Sequence, residues 1–242
     1  YEIASCLVGS EMCIRDSGKG HVIWRFDPLV LTDSINIDKL FDKVENIGNQ
    51  LLGYTEKLVF SFADILSYRK VQANLQKASI NYIDWQENQM REFARRLSVL
   101  NQKWGYELAT CGEKIDLTEF GVKKNHCVDD ELIIKLAYDD KKLMDYLKVK
   151  FYPMPQKSLF GDSESLPDSA IILPNGMYAL HGDNKDKGQR AFCGCIKSKD
   201  IGEYNTCVHG CEYCYANASK QAAVMNYKCH KENPWSETIT GK

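Results

Sequence analysis

Three cysteines stand close together near the C-terminal end of this 242-residue chain, in the run CVHGCEYCYAN from Cys207 to Asn217. Cys207, Cys211 and Cys214 are separated by three and then two residues, too near one another for unstrained disulfide loops. With 44% hydrophobic residues the chain also has enough apolar content to fold without covalent staples. Metal ligation is the chemistry that fits. Thiolates are soft ligands suited to zinc and to iron–sulfur clusters, and short spacings let one loop wrap several of them around a single centre. Structural zinc usually takes two separated ligand pairs, whereas this run offers three thiols together, the number that holds a cubane with one iron left open.

More thiols precede the run. Cys193 and Cys195 form a C-x-C pair that could hold an extra iron or a distinct metal, or supply a fourth ligand to the same cluster. Cys111 and Cys127, the latter beside His126, could join a second site, although an isolated cysteine is more often a small buried hydrophobe. His209 lies inside the cysteine run and reads as a neighbour of the cluster rather than a ligand. Lys185, Lys187, Arg190, Lys197 and Lys199 make a basic stretch whose default reading is a solvated face, with charge compensation of a cluster as the functional alternative.

Cys207-x3-Cys211-x2-Cys214, with Tyr213 before the last cysteine, resembles the motif of the radical S-adenosylmethionine (SAM) superfamily, and its form is closest to spore photoproduct lyase-like members. That resemblance implies that Cys207, Cys211 and Cys214 hold three irons of a [4Fe-4S] cluster, that the fourth iron takes the amino and carboxylate groups of SAM, and that Tyr213 packs beside the cluster. The wider stretches HVIWRFDPLVLTD, LLGYTEKLVFSFADI, CGEKIDL and CGCIKSKDIGEYNTCVHGCEYCYAN resemble the bacterial family called Domain of Unknown Function 1848, which brings no known reaction with it. The expectation from these resemblances is an iron–sulfur enzyme of radical SAM type, with an unknown substrate and an electron donor as partners. The alternative is a non-catalytic structural [4Fe-4S] or zinc-binding protein with a binding or nucleic-acid-related role.

Composition narrows the setting. A formal net charge of −2 offers no global basic footprint for nucleic acid. No apolar run reaches the ~18 residues of a membrane span. Residues 1–17, YEIASCLVGSEMCIRDS, resemble a translated sequencing-adapter artefact joined abruptly to GKGHVIWRF. Cys6 and Cys13 are set aside on that ground, and the N-terminal part of the natural protein is expected to be missing. A thiolate cluster belongs in a reducing compartment, which gives a cytoplasmic expectation.

The elements that must position these groups follow from hydrophobic period. HVIWRF (21–26), KLVFSF (57–62) and YELATC (106–111) read as strands, each followed by a helical pattern. The first helix runs from about Ile37 to Leu52, the second has Asp84 as N-cap and Gly105 as its stop, and the third covers 129–138. Successive βα units imply α/β architecture with a parallel sheet. With the radical SAM resemblance the expected fold is a partial parallel (β/α) barrel, TIM-like, with a C-terminal cysteine-rich tail. The expected divisions are βα units over 18–142, an insertion with a hairpin around Pro174-Asn175-Gly176 over 143–184, a cluster-binding segment over 185–218 and a tail over 219–242. Ligands in parallel α/β proteins sit outside the C-terminal strand ends. Arg25 and Asp27, Asp64, and Glu113 stand there and are the candidate catalytic or substrate-gripping groups; the plainer reading is an internal Arg25–Asp27 ion pair and solvated loop carboxylates.

Overall fold

The computed structural model describes residues 18–155, 165–214 and 216–241. The reading of residues 1–17 as foreign, and part of the loop expected before the hairpin, lie outside the described residues. Two compact units divide the chain. Unit 1 comprises the residues up to Lys123 together with those from Lys199 onward, and unit 2 is Lys124–Ser198.

Unit 1 contains β1 (Trp24–Leu29), β2 (Leu31–Thr32), α1 (Ile37–Leu51), β3 (Lys57–Phe62), α2 (Arg69–Lys77), β4 (Tyr82–Ile83), α3 (Glu87–Trp104) and β5 (Glu107–Thr110), then the start of β6 (Val122–Lys124). It is an α/β domain built on a four-stranded sheet in the order β1-β3-β5-β6, parallel at β1–β3 and at β3–β5. The first strand lies three residues later than HVIWRF suggests. Lys19–His21 form a 3-10 turn, and pairing begins only where Trp24 meets Leu58. β2 and β4 form a small antiparallel pair with no hydrophobic run long enough to announce it.

Burial explains the strands. In β3, Leu58, Val59, Phe60 and Phe62 are all buried, as expected of a parallel strand covered on both faces. One face packs Trp24, Leu58, Phe60 and Leu108 against Leu40 and Val44 of α1 and Phe93 and Leu97 of α3. Ala63 and Ile65, just beyond β3, pack with Val71 and Leu75 of α2 in a second cluster. Gly48, in the last turn of α1, is explained by Trp104: a Cβ at position 48 would stand 2.5 Å from the indole ring. The same ring donates Nε1–H to Asn49 Oδ1 at 2.9 Å, and Tyr106 donates its hydroxyl to Gly48 O at 2.9 Å.

Helix ends follow local chemistry with one correction. Gly105 closes α3 in the left-handed region at φ 73°, its N–H on Asn101 O, as a glycine stop should. At the other end the N-cap is Gln86, not Asp84. Gln86 and Gln89 exchange side-chain and backbone bonds in a capping box, which satisfies two orphan donors at once.

Unit 2 holds α4 (Asp130–Ala137), α5 (Lys141–Tyr146), β7 (Lys150–Pro153), β8 (Ile171–Ile172) and β9 (Met177–Leu180). β8 and β9 are antiparallel around the turn Pro174-Asn175-Gly176, with Gly176 at φ 76°, and β7 completes a sheet ordered β7-β9-β8. Its core is Ile134, Met144, Leu147, Ile171, Leu173, Ala179 and Ile196. The helix α6 (Lys220–Glu232) belongs to unit 1. No helix among the described residues is long and apolar enough to cross a membrane.

Candidate metal centres

In unit 1 the cysteine run is a loop without regular structure. Between Lys199 and Ala218 the one buried residue among those described is Asn217, so apolar packing contributes little to holding it. Hydrogen bonds do more. Asn217 Nδ2 donates to Cys207 O at 2.6 Å, its backbone N–H points to Cys214 Sγ at 3.4 Å, and Cys214 N donates to Cys211 O at 3.1 Å. Asn205 Oδ1 accepts from the backbone of Ala218 and Ser219, and Asn226 of α6 donates to Asn205 O. Lys70 of α2 donates Nζ to Asn217 O.

Tyr213 docks the loop. Its ring packs in the cluster of Ala63, Ile65, Val71 and Leu75. Ala63 and Ile65 flank Asp64 just past the C-terminal end of β3, so the loop reaches the strand end at which Asp64 emerges. A cavity of about 60 Å³ opens beside it, lined by Asn74, Gly210, Cys211, Cys214, Asn217 and Lys220 among others. Inside the loop, Asn217 Oδ1 is buried and has no hydrogen-bond partner among the described residues. Cys207 and Cys211 are exposed and Cys214 is half-buried, all three as free thiols.

The polar residues at the strand ends engage one another. Arg25 and Asp27, on one face of β1 by the two-residue strand period, form an ion pair, and Asp27 also accepts from Ser61 Oγ. Asp64 accepts from Ser67 N at 3.3 Å and Ser67 Oγ at 2.6 Å, closing a turn. Glu113 Oε1 accepts from Phe62 N at 2.8 Å, which ties the loop after β5 to the end of β3.

Unit 2 carries a second constellation. Ligand atoms of His126, Asp129 and Asp130 all lie within 4.8 Å of one another. His126 Nδ1 stands 3.9 Å from Asp130 Oδ1, and His181 Nδ1 is 3.2 Å from Asp130 Oδ2. Asn184 Nδ2 donates to the same carboxylate at 3.2 Å, and Asp129 caps α4 through Leu132 N. The C-x-C pair is here too. Gly194 presses on the imidazole of His126: a Cβ there would stand 2.2 Å from Nε2 and from Cδ2. Cys195 Sγ accepts from Cys127 N at 3.1 Å. Burial pushes the Cys195 thiol up, and neighbouring backbone N–H groups pull the other way.

The sequence leaves open whether Cys193 and Cys195 serve the cluster or a distinct metal. In the structure His126 lies against the glycine between them, and Asp130 faces that histidine with His181 and Asn184 on its carboxylate, three residues that no sequence motif singles out. No period or spacing in the sequence links His126-Cys127 to the C-G-C run.

These features define an α/β protein with a parallel four-stranded sheet and a clustered His/Asp group with nearby cysteines able to coordinate a metal. The chain belongs to the family described as Domain of unknown function (DUF1848), whose model matches residues 10–216. That match takes in residues 10–17, which the abrupt join at Gly18 had set aside. No curated protein and no solved structure matches the chain.

Proposed function

We propose that this is a metal-binding protein in which Cys207, Cys211 and Cys214 hold a [4Fe-4S] cluster that orders the C-terminal loop against the sheet, in a structural or binding role. The observation that carries the reading is the loop itself. It gathers three thiols into one turn, closed by Asn217 on Cys207 and Cys214, yet has almost no buried apolar group of its own. A metal centre supplies the cross-links that such a loop lacks, since binding free energy becomes folding free energy. The donor set is soft and suits iron–sulfur ligation.

A second reading, radical SAM-type catalysis on a sheet that is part of a barrel, is favoured by Asn217 Oδ1. This buried acceptor has no partner among the described residues, and its residue lines the cavity with Cys211 and Cys214, where a ligand amine would satisfy it. When bound, a reduced cluster of this kind supplies an electron to SAM. The protein's share would be to hold the thiolates, to seat Tyr213 against Ile65, and to present Asp64 at the same strand end.

Anaerobic reconstitution of the full chain with iron and sulfide, followed by electron paramagnetic resonance with and without SAM, tests both. Cluster signals that vanish when any of Cys207, Cys211 or Cys214 becomes Ala support the first reading, and a spectrum perturbed by SAM moves the assignment to the second. Failure to take up a cluster at all would overturn both.

A further inference from the structure

We propose that unit 2 holds a zinc ion of its own, bound by the thiolates of Cys127, Cys193 and Cys195 and by Nε2 of His126, and that this ion clasps the two ends of the unit together. The inference is independent of the cluster at Cys207, Cys211 and Cys214, which belong to unit 1.

Four observations converge. The two segments meet: Cys195 Sγ accepts from Cys127 N at 3.1 Å, and Gly194, between Cys193 and Cys195, lies on the His126 ring, so the ion has only to draw the sulfurs in to the roughly 3.8 Å that tetrahedral zinc imposes on neighbouring thiolates. Second, two of the sulfurs meet N–H donors: Cys195 Sγ takes the Cys127 amide at 3.1 Å, and Cys127 Sγ takes Asn125 Nδ2 at 3.7 Å. Donors aimed at a sulfur favour its anionic, metal-bound form. Third, the His126 ring is oriented as a ligand. Its Nε2 edge lies against Gly194, between the two cysteines, while Nδ1 faces Asp130. A carboxylate behind an imidazole is the common outer arrangement of zinc histidines, fixing the ring and its tautomer. Fourth, Asn125 is buried beside Cys127, and its Oδ1 has no partner among the described residues, as though the groups around it await a further component.

The harder donor set of His126, Asp129 and Asp130 is the rival, and its carboxylates are already employed. Asp129 caps α4, and Asp130 serves His181 and Asn184. Three thiolates and one imidazole make a standard closed, four-coordinate zinc set with no open position, so the ion is structural. Its position gives it a purpose. Cys127 and Cys195 are 68 residues apart in sequence, at the entrance and exit of a unit whose core is small. On binding, the three thiols release their protons to solvent and the imidazole binds neutral.

The test uses the full chain carrying Cys207→Ala, Cys211→Ala and Cys214→Ala together, which removes the unit 1 thiols from consideration. Co²⁺ titrated into the metal-free protein is expected to bind at one ion per chain with the intense visible absorption of tetrahedral cobalt thiolate, and Zn²⁺ to displace it. Adding Cys193→Ala or Cys195→Ala should abolish that absorption, and His126→Ala should shift it. Asp129→Asn, which keeps the helix cap, should leave it unchanged. Weak absorption of six-coordinate cobalt that is lost with Asp129→Asn would overturn the proposal in favour of the carboxylate set, and iron retained at these residues in place of zinc would overturn the choice of metal. Unmutated protein gives a readout free of folding defects. Cys127 is exposed and Cys193 partly so, and Zn²⁺ is expected to protect both from alkylation until a chelator is added. Equal alkylation with and without Zn²⁺ would sink the idea.

Discussion

Gly194 lies directly on the imidazole of His126, so close that a methyl group at position 194 would stand 2.2 Å from Nε2. The contact couples the C-x-C pair to the only histidine beside Cys127, and it makes the glycine a steric requirement. Gly194→Ala must push the ring away. Because the ring can swing, the fold should survive while Co²⁺ affinity falls by at least the roughly 10- to 100-fold seen when a ligand's orienting partner is lost. Equilibrium cobalt titration checks this, with circular dichroism confirming the fold.

Asp130 is expected to act on the metal through His126. Its carboxylate faces both His126 and His181, so Asp130→Asn should weaken Co²⁺ binding about 10- to 100-fold while leaving the tetrahedral absorption in place at saturation. A purely structural role for Asp130 would lower thermal stability without moving the metal-free and metal-bound states by different amounts. Melting with and without Zn²⁺ separates the two.

Asn217 closes the other thiol loop. Asn217→Ala removes the bond to Cys207 O and should reduce the cluster taken up per chain in anaerobic reconstitution. His209→Ala should not. Iron and sulfide analysis with visible absorbance gives the answer, and equal uptake by Asn217→Ala and the unmutated chain would remove Asn217 from the account.

Gly48→Ala tests the unit 1 core. The added Cβ would meet Trp104, which is buried and held by Asn49, so overpacking should cost about 1–3 kcal/mol. Urea unfolding followed by tryptophan fluorescence should show a lower midpoint, with metal binding in unit 2 unaffected.

Much of the local architecture was legible from the chain alone, because it rests on short-range physics. Leu40 and Val44 at helical spacing, Gly105 as a left-handed stop, the run LVFSF and the Pro174-Asn175-Gly176 turn each follow from period or dihedral preference within a few residues. So did the thiol-rich character of the C-terminal run. The tertiary structure decided what local pattern cannot carry. Arg25 and Asp27 share a strand face, and Ser61 arrives from a neighbouring strand to join their ion pair. Asp84 was the expected cap, but the reciprocal bonds of Gln86 and Gln89 start the helix two residues later. His126 and Cys127 gave no sign of the C-G-C run 68 residues beyond. Their meeting depends on how the chain enters and leaves unit 2 around its small core, a relation of distant residues that has no period and no spacing to betray it.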